Sequence, residues 1–276
     1  MAERTRRIRV TILPNLVTMG NLFCGFLAII KIAQALFQSD PELLDKAAFY
    51  IFLGMIFDAL DGKVARMVKA SSDFGAQLDS LCDAISFGVA PAFLAYAAGR
   101  LLGSSSIPGI YTEPFLFITS AVYVVCSVLR LARFNVEVGL DEEEHRYFKG
   151  MPTPGAAGMI ASSMLVFFNP DVIAMTLCED VRRLILLGLP WYCLICSVLM
   201  VSSVRYVHVV SVFMGARVGF EQLVLVVVVA TLTYVNFELT LFAALHLYYL
   251  TGVITFKRDW FEKLKSRDMD DGDGED

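Results

Sequence analysis

The stretch FDALDGKVARMVKASSDFGAQLDSLCDAISF, Phe57 to Phe87, sets five aspartates, three basic residues and two glycines between two long apolar runs. Asp58 and Asp61 are three residues apart and Asp79 and Asp83 four apart, so on helices each pair shares a face. If the flanking runs are membrane helices joined by a short connector, the four carboxylates converge where bilayer meets water. Four negative charges in so poorly solvated a place repel strongly. Cations resolve the conflict, and oxygen ligands without histidine or cysteine suit hard ions such as Mg²⁺, Mn²⁺ or Ca²⁺. Asp61 and Asp79 alone would pass as headgroup-zone carboxylates. Asp58 would not, because the run Ile51–Phe57 before it carries no charge, and an ionisable group at membrane depth is a functional candidate by default.

Composition supports the membrane setting. At 57 % hydrophobic and 18 % charged residues, the chain is too apolar for an ordinary soluble domain. A helix crosses a bilayer with about 20 apolar residues. The windows Leu16–Phe37, Ala47–Val68, Leu78–Leu101, Phe115–Val136, Gly155–Phe168 with some extension, and Leu184–Val204 qualify. Two more lie between Leu223 and Phe256, divided near Asn236–Glu238. The expected fold is an all-α polytopic membrane bundle with about eight transmembrane helices. Met1–Val10 is basic, but the run after it is long enough to span and no small-residue cleavage site follows, so no cleavable leader is expected. Pro14–Asn15 reads as the start of the first helix and Asp40–Pro41 as its end. The connection Asp61–Gln77 holds Gly62 and Gly75, which suit bends or close backbone approach. Met151–Gly155 reads as an extended lead-in to the fifth helix. Three regions result: a basic juxtamembrane segment at 1–13, a transmembrane domain at 14–256 and a tail at 257–276. No internal repeat is visible, which speaks against a transporter built from duplicated halves.

Positive loops tend to stay cytoplasmic. With the N-terminus inside, one side collects Arg4, Arg6, Arg7, Arg9, Lys63, Arg66, Lys69, Arg146, Lys149, Arg205, Arg217 and the basic part of the tail. The other keeps Lys46, Arg100, Arg182 and Arg183. Both termini and the aspartate stretch are therefore expected on the cytoplasmic side, in the inner membrane if the cell is bacterial. The net charge of −5 comes largely from Asp141–Glu144 and the acidic end Asp268–Asp276, and nothing points to nucleic acid. The six cysteines are scattered in apolar runs. Cys193 and Cys196 have C-x-x-C spacing without a histidine or a second pair, which reads as packing.

The pattern Asp58, Asp61-Gly62, Ala65-Arg66, Gly75, Asp79, Asp83 resembles the signature of the CDP-alcohol phosphotransferases at every position and spacing. The resemblance implies transfer of a substituted phosphate from a CDP-linked lipid, CDP-diacylglycerol, to an alcohol with release of CMP. It implies two divalent cations per site held by Asp58, Asp61, Asp79 and Asp83, with Asp83 as ligand, as base for the acceptor hydroxyl, or as both. Gly62, Ala65, Arg66 and Gly75 would line the CDP pocket, and a homodimer is expected. The chemistry suits these residue types. Metal ions screen a diphosphate, a carboxylate can take an alcohol proton, and an arginine fork pairs with phosphate.

The flanking segments CDAISFGVAPAF, LRLARFNVE, YFKGMPTPGAAG and PNLVTMGNLFCGFLAI are similar to the serine-accepting branch of that family. SSVRY at 202–206 matches more loosely, and Val207 departs from the proline expected after it. L-serine is therefore the expected acceptor. Its carboxylate needs a cation, and Arg130 and Arg133, three apart on the fourth helix, share a face. Arg130 sits in the otherwise uncharged run Val122–Ala132, and Asn135 would add a polar contact. Glu137, Asn15, Thr18, Lys63 and Lys69 are weaker candidates, while Asp73, His145, His208 and His246 carry no case. The alternatives are another acceptor such as glycerol phosphate or inositol phosphate, an archaeal ether lipid as donor, or, from another class, a cation transporter.

Overall fold

The computed structural model describes residues 2–68, 73–103, 111–137, 147–169, 178–202, 204–207 and 220–250. The helices are α1 (Ala2–Gln38), α2 (Leu43–Val68), α3 (Asp73–Asp83), α4 (Ala90–Ala98), α5 (Glu113–Glu137), α6 (Thr153–Phe168), α7 (Cys178–Val201), α8 (Phe220–Val235) and α9 (Phe237–Leu250). Two π-helical segments, Ala84–Val89 and Gly99–Gly103, extend α3 and α4 into one continuous rod. Over the described residues each apolar window falls mainly on a helix, and the fold is an all-α membrane bundle. Among the described residues, Pro14–Gln38, Phe74–Gly103, Glu113–Val136 and Arg182–Val201 are long and apolar enough to cross a bilayer. Thr153–Phe168 and Phe237–Leu250 are shorter apolar helices. The side chain of Asn236, which alone separates α8 from α9, caps α9 by accepting from the Leu239 N–H at 2.9 Å.

The packing is that of a bundle in lipid. Large apolar side chains face outward, with Phe37 90 % exposed, while alanines such as Ala28, Ala35, Ala47 and Ala48 fill the contacts between helices. The α1–α2 hairpin turns at Ser39, whose φ of 52° is left-handed. Asp40 closes the turn: its N–H donates to Ala35 O and its carboxylate accepts from the Glu42 N–H. Small residues then let α1 approach its neighbours. A Cβ on Gly20 would meet the Phe57 ring at 2.7 Å, and one on Gly25 would lie 2.8 Å from the Ser86 backbone Cα. Since backbone cannot swing aside, Gly25→Ala is expected to cost about 1–3 kcal/mol, read as a lower melting temperature in detergent. An unchanged melting curve would show that α1 is not locked against the π segment.

Three local expectations are corrected. Pro14 does not start α1; the helix runs through it from Ala2, because an interior proline forfeits one N–H and crowds one carbonyl without unwinding the flanking turns. Gly62 lies inside α2 and Gly75 in the first turn of α3, so neither bends a loop, and the connector shrinks to residues 69–72. The extended lead-in to α6 is confined to Met151 and Pro152, because the helix already begins at Thr153. Strand β1 (Tyr147–Lys149) pairs antiparallel with β2 (Arg205–Val207), and Gly150, at φ +87°, turns the chain toward α6. The Gly150 N–H donates to Val204 O at 2.8 Å and the Met151 N–H to Leu199 O at 3.0 Å. The start of α6 is thereby fixed to the end of α7. The tail beyond 250, the acidic run Asp141–Glu144, His145 and His208 lie outside the described residues, as do the side chains of residues 2–13, Ala65, Arg66, Asp73 and Glu137.

Candidate active site

Three of the four aspartates converge. Asp58 and Asp61 project from the last turns of α2 and Asp79 from α3. One carboxylate oxygen from each lies within 4.8 Å of the others. Two oxygens on opposite sides of one hard divalent ion are about 4–5 Å apart, so this all-oxygen trio fits such an ion. Asp61 Oδ2 and Asp79 Oδ1 are buried and have no hydrogen-bond partner, leaving lone pairs that a cation would satisfy. The Thr18 hydroxyl donates to Pro14 O of its own helix at 3.1 Å.

Asp83 stands apart from the trio yet within its electrostatic reach. It is buried, at 8 % exposure, and its Oδ1 accepts from Asn21 Nδ2 at 2.9 Å. The π segment begins at the next residue, and its wider turn changes the direction in which the chain after Asp83 presents its side chains. Gly62 is exposed and a Cβ there would meet nothing within 4 Å. The protein thus leaves open space beside the trio.

The fourth-helix candidates separate. The Ser80 hydroxyl donates to Asn135 Oδ1 at 3.0 Å, and a Cβ on Gly88 would meet Ser127 Oγ at 2.5 Å. These two contacts set an antiparallel register between the rod and α5 in which Arg130 comes level with Ile85 and Arg133 with Cys82, both within about 3 Å along the axis of Asp83, so their partners tell them apart. Arg130 is buried, donates from Nε to Met151 O at 3.2 Å, and stands over the Phe134 ring at 5.1 Å. Arg133 instead reaches Val201 O at the end of α7 at 3.5 Å, a cation at a helix C-terminus. Met55 of α2 also approaches Gly158 of α6, and α6 opens on Thr153. Thr153 is fully buried and its Oγ1 has no partner. His246 donates from Nδ1 to Phe242 O of its own helix at 2.8 Å.

Two residues escaped the sequence reading, Asn21 and Thr153. Asn21 carried a faint signal: it sits one turn after Thr18, a second polar side chain in an otherwise apolar run.

A profile of the CDP-alcohol phosphatidyltransferase family matches residues 11–181. The chain is 36 % identical over 197 residues to the CDP-diacylglycerol–serine O-phosphatidyltransferase of Bacillus subtilis (strain 168), covering 71 % of this chain and 90 % of that one. It is 29 % identical over 242 residues to the same-named protein of Helicobacter pylori (strain ATCC 700392 / 26695), covering 87 % and 89 %. It is 34 % identical over 199 residues to the archaetidylserine synthase of Methanothermobacter thermautotrophicus, covering 71 % and 70 %. The matched region contains the whole aspartate signature, so this chain belongs to the CDP-alcohol phosphatidyltransferase family.

Proposed function

We propose that the protein transfers the phosphatidyl group of CDP-diacylglycerol to the hydroxyl of L-serine, releasing CMP. The observation that carries this reading is the carboxylate trio set beside a separate, hydrogen-bonded Asp83. Asp58, Asp61 and Asp79, with Asp83 at their edge, are the residues to hold two divalent cations, Mg²⁺, Mn²⁺ or Ca²⁺. Bound there, the ions would screen the diphosphate and the charge growing on departing CMP. Asp83 takes the proton of the serine hydroxyl as its oxygen bonds to phosphorus and the phosphorus–oxygen bond to CMP breaks. The space at Gly62 admits the nucleotide, with Ala65, Arg66 and Gly75 as its further lining. Arg130, within about one helical turn of Asp83 along the axis, receives the serine carboxylate. Asn135, through Ser80, orients the α3 side, and Arg133 contributes mainly by anchoring α7. The relatives named for serine come from bacteria and an archaeon. This favours serine over glycerol phosphate or inositol phosphate and leaves diacyl or ether tails to the bilayer side of the site. The reading also keeps the basic 1–13 segment and the 257–276 tail on the cytoplasmic face of the membrane, and treats the enzyme as a homodimer.

Purified protein in bilayers holding CDP-diacylglycerol, given Mn²⁺ and labelled serine, should move label into lipid with one CMP per serine. CMP release with glycerol phosphate or inositol phosphate but not with serine would refute the acceptor; cation flux without CMP would refute the enzyme. Gly62→Ala separates fit from folding. Alanine is a better helix former by about 1 kcal/mol and meets no protein atom, so melting temperature should hold or rise. The KM for CDP-diacylglycerol should rise about tenfold. An unchanged KM would place the nucleotide elsewhere.

A further inference from the structure

Asn21 is fully buried in α1 and grips the rod on both sides of the turn after Asp83. Its Nδ2 donates to Asp83 Oδ1 at 2.9 Å, and its backbone carbonyl accepts from Ser86 Oγ at 3.0 Å. Gly25, one turn further along α1, permits this approach, since any Cβ there would run into Ser86. Its remaining polar atom, Oδ1, is buried without a partner beside Gly54. A leucine of similar shape would spare the fold that unsatisfied carbonyl but would leave buried Asp83 Oδ1 without its donor, so the asparagine answers to the carboxylate it meets. We propose that Asn21 is a positioning residue that fixes the Asp83 carboxylate, occupying Oδ1 and leaving Oδ2 to meet the acceptor hydroxyl. A base oriented by a third group is the usual arrangement for activating a weak nucleophile. An amide suits the task because it orients the carboxylate without neutralising it, as lysine or arginine would. The inference rests on the reading of Asp83 as the group that takes the acceptor's proton.

The test compares Asn21→Leu with the parent protein in bilayers containing CDP-diacylglycerol. The kcat for serine-dependent CMP release should fall at least about thirtyfold. The KM for CDP-diacylglycerol and the Mn²⁺ concentration giving half-maximal thermal stabilisation should each stay within about threefold. The melting temperature should fall only by the cost of one buried hydrogen bond. Parent-like kcat in Asn21→Leu overturns the assignment alone, and so does a tenfold or larger shift in the Mn²⁺ midpoint, which would mean that Asn21 acts through the cation site and not on the proton-accepting oxygen. A parent protein that releases no CMP with serine overturns the functional reading and this assignment with it. If Asn21→Leu does not fold, Asn21→Ser is judged by the same kcat-against-KM split.

Discussion

Asp79→Asn should cut turnover by at least about a thousandfold while leaving the ion-free protein at least as heat-stable as its parent. The two effects have opposite signs for one reason. Without ions, Asp79 is a negative charge pressed against Asp58 and Asp61 in a site walled by apolar helices, and an amide of the same shape removes that repulsion. With ions, the same carboxylate supplies a charged ligand oxygen, and Oδ1 has no protein partner to lose. The stabilisation that Mn²⁺ brings, which grows with concentration over the dissociation constant, should therefore shrink or vanish in the variant. Thermal melts with and without Mn²⁺, beside CMP release, read both halves. A variant that melts lower than the parent without ions, yet keeps its Mn²⁺ response, would make Asp79 a structural residue.

Arg130→Ala is expected to raise the KM for serine about 30- to 100-fold, as for loss of a buried charge-assisted contact worth about 2–3 kcal/mol. Burial is what makes the effect large, because water cannot take over the pairing. Arg130 is 8 % exposed, whereas Arg133 ends near a carbonyl at the protein surface. Arg133→Ala should accordingly shift the serine KM far less. Arg130→Lys should recover part of the loss, since an ammonium restores charge but not the planar fork. Its own hydrogen bond to Met151 O links Arg130 to the start of α6, so serine KM and CDP-diacylglycerol KM must be measured together. Equal rises in both would mean that α6 has shifted and that no serine contact was lost.

Helix positions were legible because spanning lipid demands long uncharged runs, and such runs have few other readings. The aspartate motif was legible because charge in such a chain is costly and its spacing falls on one helix face. What escaped notice depends on partners remote in sequence. Asn21 meets Asp83 across 62 positions, and a lone amide in α1 says nothing by itself about the end of α3. The π segment at Ala84–Val89 lies in a run apolar on all sides, where one extra residue per turn leaves no trace in the hydrophobic pattern. Arg130 and Arg133 share a face by spacing, yet one ends buried level with Asp83 and the other at a helix end. Their partners decide between them: Arg130 is buried with Nε on Met151 O, while Arg133 points to Val201 O at the end of α7. Pro14 was misplaced because proline marks a helix start only as a tendency.

The measurement that bears most directly on the central claim is serine-dependent CMP release from exhaustively chelated protein as Mn²⁺ is returned, run beside Asp79→Asn. Four aspartates acting through bound cations predict no release from the chelated parent, recovery as the ion is restored, and no recovery in the variant. Undiminished release from the chelated parent, or full recovery in Asp79→Asn, would contradict the account.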